Sequence, residues 1–299
     1  MFVAVVGLDD FLEYTLSTGF DVSTASYDSS FGTQSQDTSS QGLAFSTDGK
    51  KMFIAGNTGD DINEYTLSTG FDVSTASFVG NFDVSSQGTQ PTGITFNNDG
   101  TKMFIVGTNS KSVFEYNLST GFDVSTASYV DGFSVGSQET VPTGLEFSAD
   151  GKRMFITGNN GDDVTEYKLT TAFDVSTASH VGEFDVSSQE MQASSIAFNA
   201  EGTKMFVLGY NGDDVNEYNL TSAFRVANDT GSVGSALIGA YGTLTMSSNG
   251  SYTYAANSSI VGLDSGESVY DYFTYTVSDG SATDTAELKI TVIGVCLLY

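Results

Sequence analysis

Basic side chains are scarce. Ten Lys and Arg stand against 37 Asp and Glu in 299 residues, for a net charge of −27. A nucleic-acid binder needs cations to displace counterions from phosphate, so nucleic acid is excluded as a partner. An anionic membrane surface is disfavoured for the same reason. Cysteine occurs once, at Cys296, so no internal disulfide can form. Histidine also occurs once, at His180, which puts zinc sites and nucleophilic triads out of reach. Tryptophan is absent and proline occurs twice. No run reaches the roughly 18–20 apolar residues of a transmembrane helix, and no phosphate loop or dinucleotide fingerprint is present.

What is present is a repeat. Met-Phe recurs with its Phe at 53, 104, 155 and 206, and Glu-Tyr recurs with its Tyr at 14, 65, 116, 167 and 218, always 51 residues apart. Met1-Phe2 keeps the same step. The opening MFVAVVGLDDF aligns with the repeat interior MFIAGNTGDDI and lacks the basic region and cleavage site of a signal peptide. It is therefore expected to be a strand. The chain then starts inside a repeat, and the expectation is a fragment of a larger protein whose export signal lies upstream.

One unit, 93–143, reads as four short strands. Gly93-Ile94-Thr95-Phe96 alternates apolar and polar, as for a strand with one buried face. Asn98-Asp99-Gly100 signals a tight hairpin. Lys102 to Gly107 is more continuously apolar, Val113 to Leu118 alternates again, and Tyr129 to Phe133 forms a weaker fourth strand after the loop STGFDVSTAS. Four antiparallel strands in about fifty residues is the pattern of a propeller blade, and a parallel solenoid is the alternative. The expected fold class is all-β, a β-propeller of about five blades followed by a small sandwich. Residues 1–41 and 195–225 supply two incomplete blades. The array is either a compact five-bladed ring or an arc of a longer propeller.

The motifs PTGITFNNDGTKMFIVG, LEFSADGKRMFITG and LAFSTDGKKMFIAG resemble the YVTN/lactonase-like class of bacterial β-propeller repeats. The resemblance spans about 225 residues and implies the fold. The copies are longer than that family's unit and show no asymmetric polar set of the kind a lactonase site needs. Repeat similarity stops where Arg225 replaces the Asp of GFDVSTAS, which places a domain boundary there, with domains at 1–225 and 226–299. In the second, YGTLTMSSNGSYTYAAN and YDYFTYTVSDGSATDTAELKITV form two hairpin patterns. They resemble a VCBS-type, cadherin-like β-sandwich of bacterial adhesins, whose entrance is shortened here to VANDTGSVGSALIGA.

Chemistry-bearing residues are few. Acidic pairs recur in the loops after the second strand: Asp9-Asp10, Asp60-Asp61, Asp162-Asp163 and Asp213-Asp214, with Asn109-Ser110-Lys111 breaking the series. Carboxylates are hard ligands suited to Ca²⁺, so Asp60, Asp61, Asp162, Asp163, Asp213 and Asp214 are candidate calcium ligands. Solvated acidic turns are the alternative. Glu13, Glu64, Glu115, Glu166 and Glu217, one per blade, are expected to hold neighbouring backbone or Lys groups. The repeated Asp of GFDVSTAS is expected to cap its own loop, and His180 stands at an aromatic position. The reading is a non-enzymatic, extracellular or cell-surface adhesin-like protein that binds glycan or protein on another surface. A lactonase-type hydrolase and a virion or tail-fibre structural protein are the alternatives.

Overall fold

A computed structural model describes residues 1–5, 9–220, 222–226, 236–239, 241–247, 249–256, 268–278 and 283–293. Blade 1 holds β1 (Phe2–Val5), β2 (Asp10–Leu16) and β3 (Ala25–Gly32). Blade 2 holds β4 (Ser40–Phe45), β5 (Lys51–Gly56), β6 (Asp61–Leu67) and β7 (Ala76–Asp83). Blade 3 holds β8 (Pro91–Phe96), β9 (Lys102–Gly107), β10 (Ser112–Leu118) and β11 (Ala127–Ser134). Blade 4 holds β12 (Pro142–Phe147), β13 (Arg153–Gly158), β14 (Asp163–Leu169) and β15 (Ala178–Asp185). Blade 5 holds β16 (Ala193–Phe198), β17 (Lys204–Gly209) and β18 (Val215–Asn219). Every blade is an antiparallel meander in chain order. Among the described residues, blade 1 lacks the innermost strand and blade 5 the outermost.

The inner strands are covered on both faces, not on one as their alternation suggests. β8 is buried through Pro91, Thr92, Gly93, Ile94 and Thr95. The reason is that blades pack face to face, so the polar side of one strand meets its neighbour in the next blade. Gly93 shows how close that approach is: an added Cβ would lie 2.9 Å from Thr143 O of blade 4. At Gly42 the same atom would lie 2.8 Å from Thr92 O of blade 3. Outer strands are exposed instead, as Tyr129 and Val130 of β11 are.

One wedge holds each blade to the next. Phe71, Phe122 and Phe173 sit at φ of 62, 56 and 55°, in the left-handed region that a bulky residue enters only under constraint. The ring of Phe122 stacks on Phe53 of the preceding blade, with centroids 6.3 Å apart. Phe173 does the same on Phe104, at 6.1 Å. The following Asp caps a short 3₁₀ turn, as expected: Asp123 accepts from Ser125 N at 3.1 Å.

The ring closes. Phe20 of blade 1 stacks on Phe206 of blade 5 at 6.3 Å, the geometry of the internal seams. Lys204 Nζ donates to Phe20 O at 2.8 Å, and Val22 N donates to Glu217 Oε2 at 3.5 Å. The first of these repeats the contact of Lys51 with Phe122 O, 2.6 Å, and the second that of Val124 N with Glu64 Oε2, 3.0 Å. The five-blade ring, rather than the arc, is what the chain forms.

Beyond the propeller, β19 (Ala236–Ile238), β20 (Gly242–Met246) and β21 (Tyr252–Ala256) form one antiparallel sheet. β22 (Ser268–Ser278) pairs with β23 (Thr283–Ile293). The Asn-Gly turn is present, with Gly250 at φ 81°. The Asp279-Gly280 turn, the entrance residues 227–235 and Cys296 lie outside the described residues.

Candidate functional site

The acidic loops are built to a common plan. The first Asp of each pair takes the left-handed conformation that ends the turn, with φ 55, 52, 53 and 51° at Asp9, Asp60, Asp162 and Asp213; Lys111 does so in blade 3. Asp and Asn tolerate that conformation better than most residues. Asp60 Oδ1 also accepts from Gln90 N of the following blade connection, 2.7 Å. The second Asp turns into the structure. Asp61 is buried and accepts from Asn63 Nδ2 at 2.7 Å and Asn81 Nδ2 at 2.5 Å. Desolvation raises its pKa, against the pull of those amides. Asp163 accepts from Thr165 Oγ1 at 3.2 Å, and desolvation pushes its pKa up to about 6. Asp214 is exposed and accepts from Asn216 Nδ2 at 2.8 Å.

A second carboxylate that sequence reasoning missed underlies three of these loops. Asp37, Glu139 and Glu190 are buried and aim at loop N–H groups. Asp37 accepts from Ser39 N and Gly59 N, both at 2.6 Å. Glu139 accepts from Val141 N at 2.6 Å and Gly161 N at 3.0 Å; Glu190 from Gln192 N and Gly212 N, both at 2.8 Å. The position alternates Asp, Gly88, Glu, Glu through the repeats, so the charge reads as variation until the loops are seen. Among the described residues, no three His, Cys, Asp or Glu side chains group as a metal site.

The repeated glutamates form an inter-blade clasp, as expected. In blade 2, Glu64 Oε1 pairs with Lys51 at 2.7 Å while Oε2 accepts from Val124 N of blade 3. Glu115 pairs with Lys102 and accepts from Val175 N at 3.1 Å. Glu166 pairs with Arg153 and accepts from Val226 N at 2.9 Å. In blade 1, Glu13 accepts from Val73 N and Ser29 Oγ, both at 3.1 Å. These carboxylates are held in place for structure. The repeated tyrosines are held too: Tyr116 OH donates to Gln87 Oε1 at 3.2 Å.

The asymmetric polar group lies on the ring axis. Equivalent inner-strand positions hold Ala44, Thr95, Glu146 and Ala197. Glu146 Oε1 accepts from Phe147 N at 2.9 Å and from Thr95 Oγ1 at 3.4 Å. Glu146 and Ala197 line a cavity of about 580 Å³ that runs along the axis and the seam between blades 5 and 1. The walls are mainly apolar, from Phe2, Leu43, Phe45, Ile196 and Phe198, with Thr143, Asn159 and Ser194 among the polar groups. Asn159 Oδ1 is buried there with no hydrogen-bond partner. Glu146 keeps partial accessibility, but to this lumen and not to bulk solvent. The surrounding protein governs its ionisation, and desolvation pushes its pKa up to about 7, with Phe147 N and Thr95 opposing. The only sequence signal was a single charged residue at a position otherwise Ala or Thr.

A pH dependence follows. A carboxyl with a raised folded pKa stabilises the fold at low pH, and that contribution is lost as pH rises through the folded value. For Glu146 the window runs from the model-peptide value of 4.5 to about 7. Glu146→Gln is expected to flatten the decline in Tm between these pH values and to add about 2 kcal/mol at pH 8, discounted for lumen access. Parallel melts of the two proteins across that range would contradict the burial assigned to this carboxyl.

Residues 210–291 match the family of bacterial Ig domains. The match begins inside blade 5, whose β18 is hydrogen-bonded to β17 of the propeller. In this Ig-like domain the buried Asp271 accepts from Tyr254 OH at 2.6 Å and from Tyr241 N at 3.1 Å, tying β21 and the start of β20 to β22. No curated protein matches the chain in sequence. Among solved structures, a candidate 6-phosphogluconolactonase from Bacteroides uniformis is similar at 13% identity and TM-score 0.46, over 72% of this chain and 65% of that one. The periplasmic gluconolactonase of Pseudomonas aeruginosa is similar at 14% identity and TM-score 0.46, over 85% and 69%. A chain of a nidogen/laminin complex is similar at 14% identity and TM-score 0.49, over 86% and 92%. The chain thus spans less than two-thirds of the length of the Bacteroides protein. Nothing about activity follows from these likenesses.

Proposed function

We propose that this chain is a non-enzymatic binding protein of the adhesin kind, working outside the cell or on its surface. The acidic loop face of the propeller binds glycan or protein on another surface. The Ig-like domain, of the VCBS, cadherin-like type, acts as spacer. The observation that carries this reading is the use of the repeated carboxylates: the clasp glutamates and the loop carboxylates Asp37, Glu139 and Glu190 are all engaged with backbone or cationic groups. The recurring outward features are then the turn residues Asp9, Asp60, Asp162 and Asp213, which are also the outermost candidates for Ca²⁺.

The test is a glycan array probed with the whole chain in millimolar Ca²⁺ and in EDTA. Saturable binding that is lost on Asp60→Asn, Asp162→Asn and Asp213→Asn together supports the reading, since Asn keeps the turn conformation and removes the charge. One observation favours the second reading, a lactonase-type hydrolase: Glu146 has a pKa near neutrality inside an apolar cavity, as a general acid or base needs. Hydrolysis of δ-gluconolactone above the buffer rate, abolished by Glu146→Gln, would overturn the binding proposal.

A further inference from the structure

We propose that the seam between blades 5 and 1 is a receptor slot for one extended peptide strand, donated in trans by another polypeptide whose sequence resembles the inner strands of the repeat. The slot is the missing fifth place in an established packing interface. In blades 2 to 5 the strand equivalent to β1 is hydrogen-bonded on both edges, and its inner partner is β4, β8, β12 or β16. Among the described residues, β1 pairs only with β2, so its inner edge presents unpaired backbone groups. The cavity wall comes from β1, β4, β16 and β17. These are the elements that would border an inner strand of blade 1: its own second strand, the inner strands on either side, and the second strand of the preceding blade.

The side chains mark the same vacancy. Phe53 packs against Phe96, Phe104 against Phe147 and Phe155 against Phe198, with centroids 4.6, 4.5 and 4.6 Å apart. Each pair joins a second strand to the last residue of the next inner strand. Phe206, the counterpart in blade 5, stacks on Phe20 and has no such inner partner among the ring contacts of the described residues. Phe53, Phe104 and Phe155 are fully buried, whereas Phe206 and Leu208 are only half-buried. The donated strand therefore carries an aromatic residue where Phe45 and Phe96 stand in theirs, and aliphatic residues two before it. It runs antiparallel to β1, and its backbone supplies β1 with ladder bonds while its pockets supply selectivity. Ser195 departs from the plan. It stands where Gly42, Gly93 and Gly144 let the next inner strand approach, so its side chain holds the incoming strand slightly off. The proposal stands whether or not the acidic face binds a glycan.

The test uses the whole chain and a synthetic acetylated peptide with the sequence of residues 89–98, TQPTGITFNN, followed by titration calorimetry and thermal shift. Saturable one-to-one binding with a rise in Tm is expected. Replacing the peptide's Phe by Ser is expected to weaken binding about tenfold or more, because the ring loses its contact with Phe206. Ser195→Gly is expected to tighten it severalfold, and this variant removes side-chain bulk without opening the core. A peptide that fails to bind, or binds equally well with Ser in place of Phe, overturns the proposal. A chain with residues 37–50 fused ahead of Met1 that gains stability while the free peptide does not bind also overturns it, in favour of a strand supplied only in cis.

Discussion

Glu166→Ala is expected to lower the unfolding free energy by about 3–5 kcal/mol, the cost of breaking a buried ion pair from one side. The Glu166 side chain is 0% exposed and that of Arg153 10%. The substitution takes the carboxylate from Arg153 and leaves Val226 N without its acceptor across the blade boundary. Two desolvated groups are then stranded at once. The same change at Glu217, whose side chain is 21% exposed, should cost less, because water reaches both partners. Urea denaturation of the two variants reads the difference. Equal small losses would mean that the clasp is a surface pair and that aromatic packing alone holds the blades.

Phe104→Ala is the second large effect, expected at about 3–5 kcal/mol for a fully buried aromatic in a packed core. Phe104 touches Phe147 and Phe173, so its loss opens a cavity between blades 3 and 4 that the paired sheets cannot close. Phe206→Ala removes the same side chain from the equivalent place in blade 5. It should cost roughly half as much, because that ring is half-buried and faces the seam cavity. A Phe206 variant as damaged as the Phe104 variant would mean that the seam is packed like the others.

How much of this was legible in the sequence depends on whether a residue repeats. The strands, the Asp-Gly hairpins, the caps at Asp72 and Asp123 and the clasp role of Glu64 and Glu115 were readable, because a step of 51 ties each to its copies and local chemistry assigns it. Burial was read less well. Alternation in β8 suggested one exposed face, but blade-on-blade packing covers both, and no single-strand pattern encodes that. The acidic loops were seen as pairs of neighbours. The partner that shapes them, Asp37, Glu139 or Glu190, lies about twenty residues earlier and changes identity between copies. Glu146 was invisible for the opposite reason. It occurs once, and a reading built on repetition discards singletons. Closure could not be read at all, since the contacts of Phe20 with Phe206 and of Val22 with Glu217 join opposite ends of the array.

The most direct test of the account is a double-mutant cycle on Phe20 and Phe206, with Phe53 and Phe122 as internal standard. Both pairs stack at 6.3 Å, with interplanar angles of 28° and 26°. A closed ring predicts similar coupling for both, about 0.5–1.5 kcal/mol. Additive effects at Phe20 and Phe206, beside clear coupling at Phe53 and Phe122, would contradict closure and make the array an open arc.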